Sequence, residues 1–487
     1  MGQTKKEKIF FALMFLPLLI LDGQIFTTDI YFEYEYGKAI LQNGFIKEMV
    51  GSVHHFKMIP QQWLFDILAY IIYGKFGYIG CLISTMLLCV CITLIFYNIL
   101  KLITNNKIKA CIFTAIFSAV MYKMFGEFRP QLFSYICILL IIYLIENYIR
   151  KQKIHYLFFI PLLFVLQINI QASCWPFLIC AILPYILNIK KLTGKTIIDD
   201  NYKKLPVIFS LLISLGALFI NPYGLDSILY VFKGLDTNIS EFISFEMQTL
   251  TIKNYGILLA IGVIILLVLF YSIKSNIKLR YLIFLIGSVL LMSLNIRSTI
   301  YFLIAFTLFV VDYTKDETST EKIIKKVFGY AKISIPILLV MFIGIRIYFI
   351  KDYKLWNYTI RGIRQTDIIE NSKGITEQIF LDTTKEHPRV YSKPGIGSYL
   401  QYKGCDIYLN SGAEVFLEKE NEEKDVIDEY LLLQMGRIDI KEFLDTYNFD
   451  YLVIMDSDIL YDYAIKNNFE LLYKTSNAYV FKTKGPE

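Results

Sequence analysis

Over the first 350 residues, long apolar runs alternate with short polar segments. The runs lie near residues 8 to 26, 77 to 100, 108 to 125, 130 to 149, 155 to 170, 173 to 189, 205 to 221, 254 to 273, 280 to 295, 298 to 313 and 328 to 350. A helix needs roughly 20 apolar residues to cross a hydrocarbon core, so the pattern predicts a polytopic α-helical membrane protein with about eleven transmembrane helices. Pro17 and the large residues around Gln24 offer no small-x-small cleavage site, so the first run reads as a retained anchor rather than a signal peptide. Beyond residue 350 the apolar runs shorten to strand length, as in Asp450-Tyr-Leu-Val-Ile-Met-Asp456 and Ala478-Tyr-Val-Phe-Lys482, and charge rises between Glu418 and Glu429. Strand-like and helix-like stretches alternate there, with turns marked by Pro388, Pro394, Gly395 and Gly397. Two domains are therefore expected: a transmembrane domain over 1–350, with a long first exterior loop at 27–76, and a C-terminal exterior α/β domain over 351–487.

Charge orients this map. The segments at one set of helix ends hold twenty-one Lys and Arg, among them Lys5, Lys107, Arg150, Lys203, Lys278 and Arg280, whereas the longer opposite segments before residue 351 hold nine. Translocation disfavours positive charge, so the N-terminus is expected in the cytoplasm and the C-terminal domain outside. The formal charge of +6 mostly reflects these loops meeting anionic headgroups and does not suggest nucleic acid.

Composition agrees with the class, since 55% hydrophobic and 16% aromatic residues leave no room for an ordinary soluble protein of 487 residues. Seven of the eight cysteines, Cys81 to Cys180, fall in or beside membrane segments, leaving Cys405 outside, so neither a disulfide framework nor a zinc site is indicated. No phosphate-cradling glycine loop or nucleotide fingerprint is found, and no soluble nucleotide-sugar or ATP site is expected.

Chemistry is expected on the outer face. The first exterior loop opens with Thr27-Thr-Asp-Ile-Tyr-Phe-Glu-Tyr-Glu-Tyr36; in a helix, Asp29 and Glu33 share a face and form a pair able to bind a divalent cation such as Mg or Mn, or to deprotonate a hydroxyl. Acidic capping of a short helix explains the same residues. Later in the loop, residues 59–70 read as an amphipathic interfacial helix anchored by Trp63. Arg129 and Arg297 lie at outer helix ends, where a guanidinium suits bidentate phosphate contact and equally suits snorkelling to lipid headgroups. Glu127 is placed to pair with Arg129, and Glu241 lies in the exterior loop 221–253. Asn221-Pro-Tyr-Gly224 reads as a helix stop, with Tyr223 either an interfacial anchor or a sugar platform. His54 and His55 are neighbours whose side chains diverge, and a loop role is expected.

An acidic residue just after the first transmembrane helix, followed by a long exterior loop with an interfacial helix, resembles the GT-C superfamily of membrane glycosyltransferases. Those enzymes take sugars from polyprenyl-phosphate donors. Glu127-Phe-Arg-Pro-Gln-Leu-Phe-Ser134, Asn221-Pro-Tyr-Gly224, Ser240-Glu-Phe242, Arg297 and the tail Gly397-Ser-Tyr-Leu400 resemble an uncharacterised bacterial GT-C-like group along the whole chain. The chain departs from that group at Asn169-Ile-Gln171-Ala172, where an Asn-x-His-Gly is frequent, and at Asn410-Ser-Gly412, where Asp-Gly-Arg is frequent.

The resemblance implies an inverting hexosyl- or pentosyltransferase in the bacterial plasma membrane. It would pass a sugar from a polyprenyl-phosphate donor to a cell-surface glycan, lipid or protein acceptor. Asp29 would be the base, with Glu33 completing a divalent-metal site. Arg297 and Arg129 would hold the donor phosphate, and Gln171, Asn169, Glu241 and Tyr223 would support the acceptor side. Two other classes fit the same pattern: a flippase or transporter of lipid-linked precursors, and a noncatalytic cell-envelope polymer assembly factor.

Overall fold

The computed structural model describes residues 5–21, 27–187, 191–193, 195–196, 202–233, 278–294, 298–313, 367–475 and 478–483. The apolar runs 254–273 and 328–350 lie outside these residues, as do the 350/351 boundary, Glu241 and Arg297. The expected count of eleven helices therefore reaches beyond what is described.

The described helices of this part are α1 (Lys5–Leu13), α2 (Asp29–Asn43), α3 (Trp63–Thr104), α4 (Lys107–Phe125), α5 (Gln131–Lys151), α6 (Ile160–Ile170), α7 (Trp175–Leu187), α8 (Leu205–Ala217), α9 (Leu225–Lys233), α10 (Leu279–Leu294) and α11 (Thr299–Tyr313), of which α2 and α9 lie between the apolar runs and the others fall on them. Three of them, α3, α4 and α5, are long and apolar enough to cross a membrane, and shorter apolar helices pack beside them. At 42 residues α3 is about 63 Å long, roughly twice a hydrocarbon core. It bends at Gly77, whose φ of 55° and ψ of −145° only glycine adopts readily. Residues 63–76 therefore run as a segment separate from the part of α3 beyond Gly77.

Alternate helix ends gather into two layers. On one side Lys107 Nζ pairs with Glu7 at 3.1 Å, the Tyr148 hydroxyl donates to the Lys203 carbonyl at 2.8 Å, and the Lys278 N–H donates to Asp312 at 3.0 Å. On the other, Arg129 meets Asp29, the Ala172 N–H donates to the Gln61 carbonyl at 2.7 Å, and Asn169 donates to the Ile220 carbonyl at 2.9 Å. Loops assigned to one face from charge alone thus meet one another. Arg280 differs from its expected place among solvated loop cations. It begins α10 with 1% exposure, and its Nε and Nη2 donate to Glu146 of α5 at 3.1 and 3.2 Å.

The C-terminal unit is built on a five-stranded mixed sheet. Its strands are β1 (Arg389–Ser392), β2 (Asp406–Ile407), β3 (Tyr451–Ile454), β4 (Glu470–Lys474) and β5 (Tyr479–Lys482), in the order β2-β1-β3-β5-β4. Strands β1, β2 and β3 are parallel, with Val390 opposite both Ile407 and Tyr451; β5 runs antiparallel to β3, pairing Tyr451 with Lys482. Helices α12 (Asp367–Asp382), α13 (Pro394–Tyr402), α14 (Val426–Gln434), α15 (Ile440–Tyr447) and α16 (Ile459–Lys466) surround it. The first exterior loop belongs to the same core. Met49, Val53, Phe56 and Met58 pack with Tyr391, Ile407 and Tyr408. The Val53 N–H donates to the Ile407 carbonyl at 3.1 Å, and the Ile407 N–H donates to the Gly51 carbonyl at 3.1 Å. The loop therefore covers the β2 edge that would otherwise lie open.

Helix α2 is clamped between α3 and the C-terminal unit. Tyr31 is fully buried, its ring 5.0 Å from Tyr399 and 5.2 Å from Tyr402. The Thr28 and Ser411 hydroxyls are 2.9 Å apart, and Ser398 donates to Ser411 at 3.0 Å. Against α3 the approach is closest at Gly37, where a Cβ would fall 2.0 Å from the Asp66 carbonyl oxygen, so only glycine permits the crossing.

Candidate active site

Two polar clusters line successive turns of α2. Asp29 occupies the first turn, where a carboxylate is favoured by the unpaired N–H groups of the helix start. Its Oδ2 lies 3.2 Å from Nη2 of Arg129, and Nε of Arg129 lies 3.0 Å from Glu127 Oε2. These side chains keep 20 to 26% of their surface in solvent, so the cluster is reachable from outside. Pro130 starts α5 and turns the chain so that Glu127 and Arg129 face α2 rather than extending the helix. Beside them lies a small cleft lined by Met124, Phe125, Glu127, Arg129, Gln131, Leu132 and Tyr135. A single guanidinium between two carboxylates, beside a cleft with both polar and apolar lining, can exchange one of them for a phosphate.

One turn further on, Glu33 has different partners. It is 2% exposed, and its Oε1 accepts from Nε2 of Gln62 at 2.9 Å. The same amide nitrogen donates to Oδ1 of Asp66 at 3.3 Å, and Asp66 is 1% exposed. Burial pushes the Glu33 carboxyl well above its usual range, with Asp29 and Asp66 adding to the shift and Arg129 and Gln62 opposing it. Burial does the same to Asp66, opposed by Gln62. Asp29 and Glu33 thus share a helix face as their spacing implies, but their partners differ: Asp29 answers Arg129, whereas Glu33 answers Gln62 and Asp66. Among the described residues no three or more His, Cys, Asp or Glu side chains are grouped to hold a metal ion.

Asp66 and Gln62 were not singled out in the sequence, where they are two polar residues in an amphipathic run. Their spacing of four was the available signal, since it places both on one helix face. Trp63, read as an interfacial anchor, instead donates through Nε1 to Asn169 Oδ1 at 2.9 Å. Asn169 also donates to the Val165 carbonyl at 2.7 Å, so all its polar atoms hold helices together. Gln171 is 3% exposed and accepts from Ser134 at 3.0 Å, next to Gln167, which donates to the Gln171 carbonyl at 2.8 Å. Tyr223 is 7% exposed, and its ring lies 5.9 Å from that of Phe45 in a T-shaped arrangement. Asn221 closes the turn after α8 as expected, accepting from the Tyr223 N–H at 2.9 Å. His54 belongs to the exterior core, contacting the Tyr408 carbonyl at 3.1 Å, and burial lowers its pKa to about 4.

No family model matches this chain, and neither does any curated protein. Among solved structures it is similar to the Archaeoglobus fulgidus oligosaccharyltransferase, determined as a complex with Zn and sulfate. The TM-score is 0.45 and the sequence identity 10%, with 92% of this chain and 67% of that chain covered. A likeness at that level fixes neither chemistry nor substrate.

Proposed function

We propose that this protein is an inverting glycosyltransferase of the bacterial plasma membrane. It transfers a sugar from a polyprenyl-phosphate donor to a cell-surface glycan, lipid or protein acceptor on the exterior face. The observation that supports this most is the Asp29–Arg129–Glu127 cluster beside the cleft. The donor's isoprenoid chain would lie along Met124, Phe125, Leu132 and Tyr135, bringing its phosphate to Arg129. Phosphate and Asp29 then compete for one guanidinium, and binding of the donor releases the Asp29 carboxylate. Released, Asp29 accepts the proton of the acceptor hydroxyl as that oxygen attacks the anomeric carbon and the bond to phosphate breaks. Negative charge grows on the leaving phosphate, and Arg129, with Arg297 from outside the described residues, stabilises it. In this reading Asp29 is neutralised by Arg129 rather than by the cation expected at Asp29 and Glu33. Glu241 remains assigned to the acceptor side by resemblance alone.

The direct test is binding of a nonhydrolysable polyprenyl-phosphonate sugar to purified protein. Arg129→Lys keeps the charge and loses the fork, so affinity should fall about 10- to 100-fold, the value of one or two charge-assisted hydrogen bonds. Unchanged affinity would return Arg129 to a purely structural pairing with Asp29. Wild-type protein that binds the analogue yet forms no product with any donor and acceptor would favour the flippase reading.

Orientation has its own check. A single cysteine at Lys385, whose side chain is 58% exposed, should react with an impermeant maleimide in intact cells, while one at the exposed Lys153 should not. Labelling at Lys153 would place the cluster on the cytoplasmic side.

A further inference from the structure

Where α2 crosses α3, buried acidic oxygens outnumber their partners. Glu33 Oε2 and Asp66 Oδ2 are both enclosed and accept no hydrogen bond, and the enclosed Tyr223 hydroxyl makes none. Asp66 acts electrostatically on Glu33, on Tyr223 and on the Tyr36 hydroxyl. Gln62 ties the two carboxyl groups together by sharing one amide nitrogen between them. Among the described residues no Lys or Arg forms an ion pair with either, and the nearest guanidinium, Arg129, is committed to Asp29 and Glu127. A buried carboxylate without a countercharge is expensive, so each group must hold a proton or share a cation. The enclosure of all three orphaned atoms leaves no room for a sugar. A single ion needs no larger space.

We infer that Glu33 and Asp66 are the carboxylate ligands of a divalent-cation site at the α2–α3 crossing, with the Tyr223 hydroxyl as a neutral oxygen donor. All three donors are oxygen, which selects a hard cation of the Mg, Mn or Ca type over zinc. The site differs from the Asp29–Arg129 cluster in both residues and role. It neutralises the two carboxylates and joins α2, α3 and the turn after α8, and it takes no part in proton transfer.

The test uses the full chain in nanodiscs, with Mn²⁺ alone as probe, followed by electron paramagnetic resonance and thermal unfolding. One Mn²⁺ per chain is expected, with affinity reduced by at least about tenfold in Asp66→Asn and in Glu33→Gln. Asp29→Asn should bind as the wild type does, which separates this site from the proposed catalytic one whether or not transfer is ever observed. Both amide variants keep side-chain shape and remove a buried acid, so in chelator they should melt no lower than wild type. Added Mn²⁺ should raise the melting temperature of the wild type and of Asp29→Asn but not that of Glu33→Gln or Asp66→Asn. If either amide variant fails to fold, Tyr223→Phe leaves both carboxylates in place and should still weaken the site. Wild-type protein without bound Mn²⁺, undiminished binding in the Asp66, Glu33 or Tyr223 variants, or equal stabilisation of wild type and Asp66→Asn would each overturn the inference.

Discussion

Replacing Asp29 by Asn is expected to lower sugar transfer by about 10²- to 10⁴-fold in a reconstituted assay with a polyprenyl-phosphate donor, the usual cost of losing a general base. The substitution keeps the side chain's shape and removes its capacity to accept a proton. It also breaks the ion pair with Arg129. Both partners remain a fifth to a quarter exposed, so that loss is worth no more than about 1 kcal/mol, and the fold should survive. Donor-analogue binding should hold or rise, because the neutral amide no longer competes with phosphate for the guanidinium. That combination of slower turnover with equal or tighter donor binding distinguishes a base from a residue that merely positions Arg129. Turnover near the wild-type rate in Asp29→Asn would remove the assignment. Glu33 is a poor substitute as a base, since it is 2% exposed and Gln62 occupies one of its oxygens.

Much of this site was readable because its parts are local. Asp29 follows the first apolar run, Glu127 and Arg129 sit two residues apart before a proline, and both stretches fall on the charge-poor side of the map. Their meeting at 3.2 Å follows from two outer helix ends being adjacent. What could not be read depends on crossings set by the tertiary fold. Asp66 reaches Glu33 only because Gly37 lets α2 lie against the α3 backbone, and nothing in the local pattern of either helix encodes that contact. Trp63 has the composition of an interfacial anchor, yet its partner Asn169 lies 106 residues away. The first exterior loop has no strong strand signal, and its pairing with Ile407 comes from an edge built more than 350 residues later. Arg280 shows the limit of counting charges. A cation beside an apolar run is scored as a solvated loop residue, and only a carboxylate 134 residues earlier reveals it as buried.

That pair carries the largest expected effect on stability. Arg280 presents Nε and Nη2 to Glu146, while the Tyr281 hydroxyl donates to the same carboxylate at 2.8 Å and Tyr185 donates at 3.1 Å. The Arg280 side chain is fully enclosed and that of Glu146 is 5% exposed. Arg280→Met should therefore strand Glu146 in a medium that cannot solvate it, at a cost of about 3 to 5 kcal/mol, because removing one partner of a buried pair leaves the other uncompensated. Adding Glu146→Leu should recover much of the loss, since a buried pair exchanged for apolar side chains of similar volume is often close to neutral. Two tyrosine hydroxyls then lose their acceptor, so recovery should be incomplete unless Tyr185 and Tyr281 are also changed to Phe. Thermal unfolding of the four proteins in one detergent should rank wild type first, then the quadruple and double variants, and Arg280→Met last. A single variant that melts with the wild type would mean that Glu146 is solvated through α5, and that α5, α7 and α10 are joined by apolar contact rather than by this cluster.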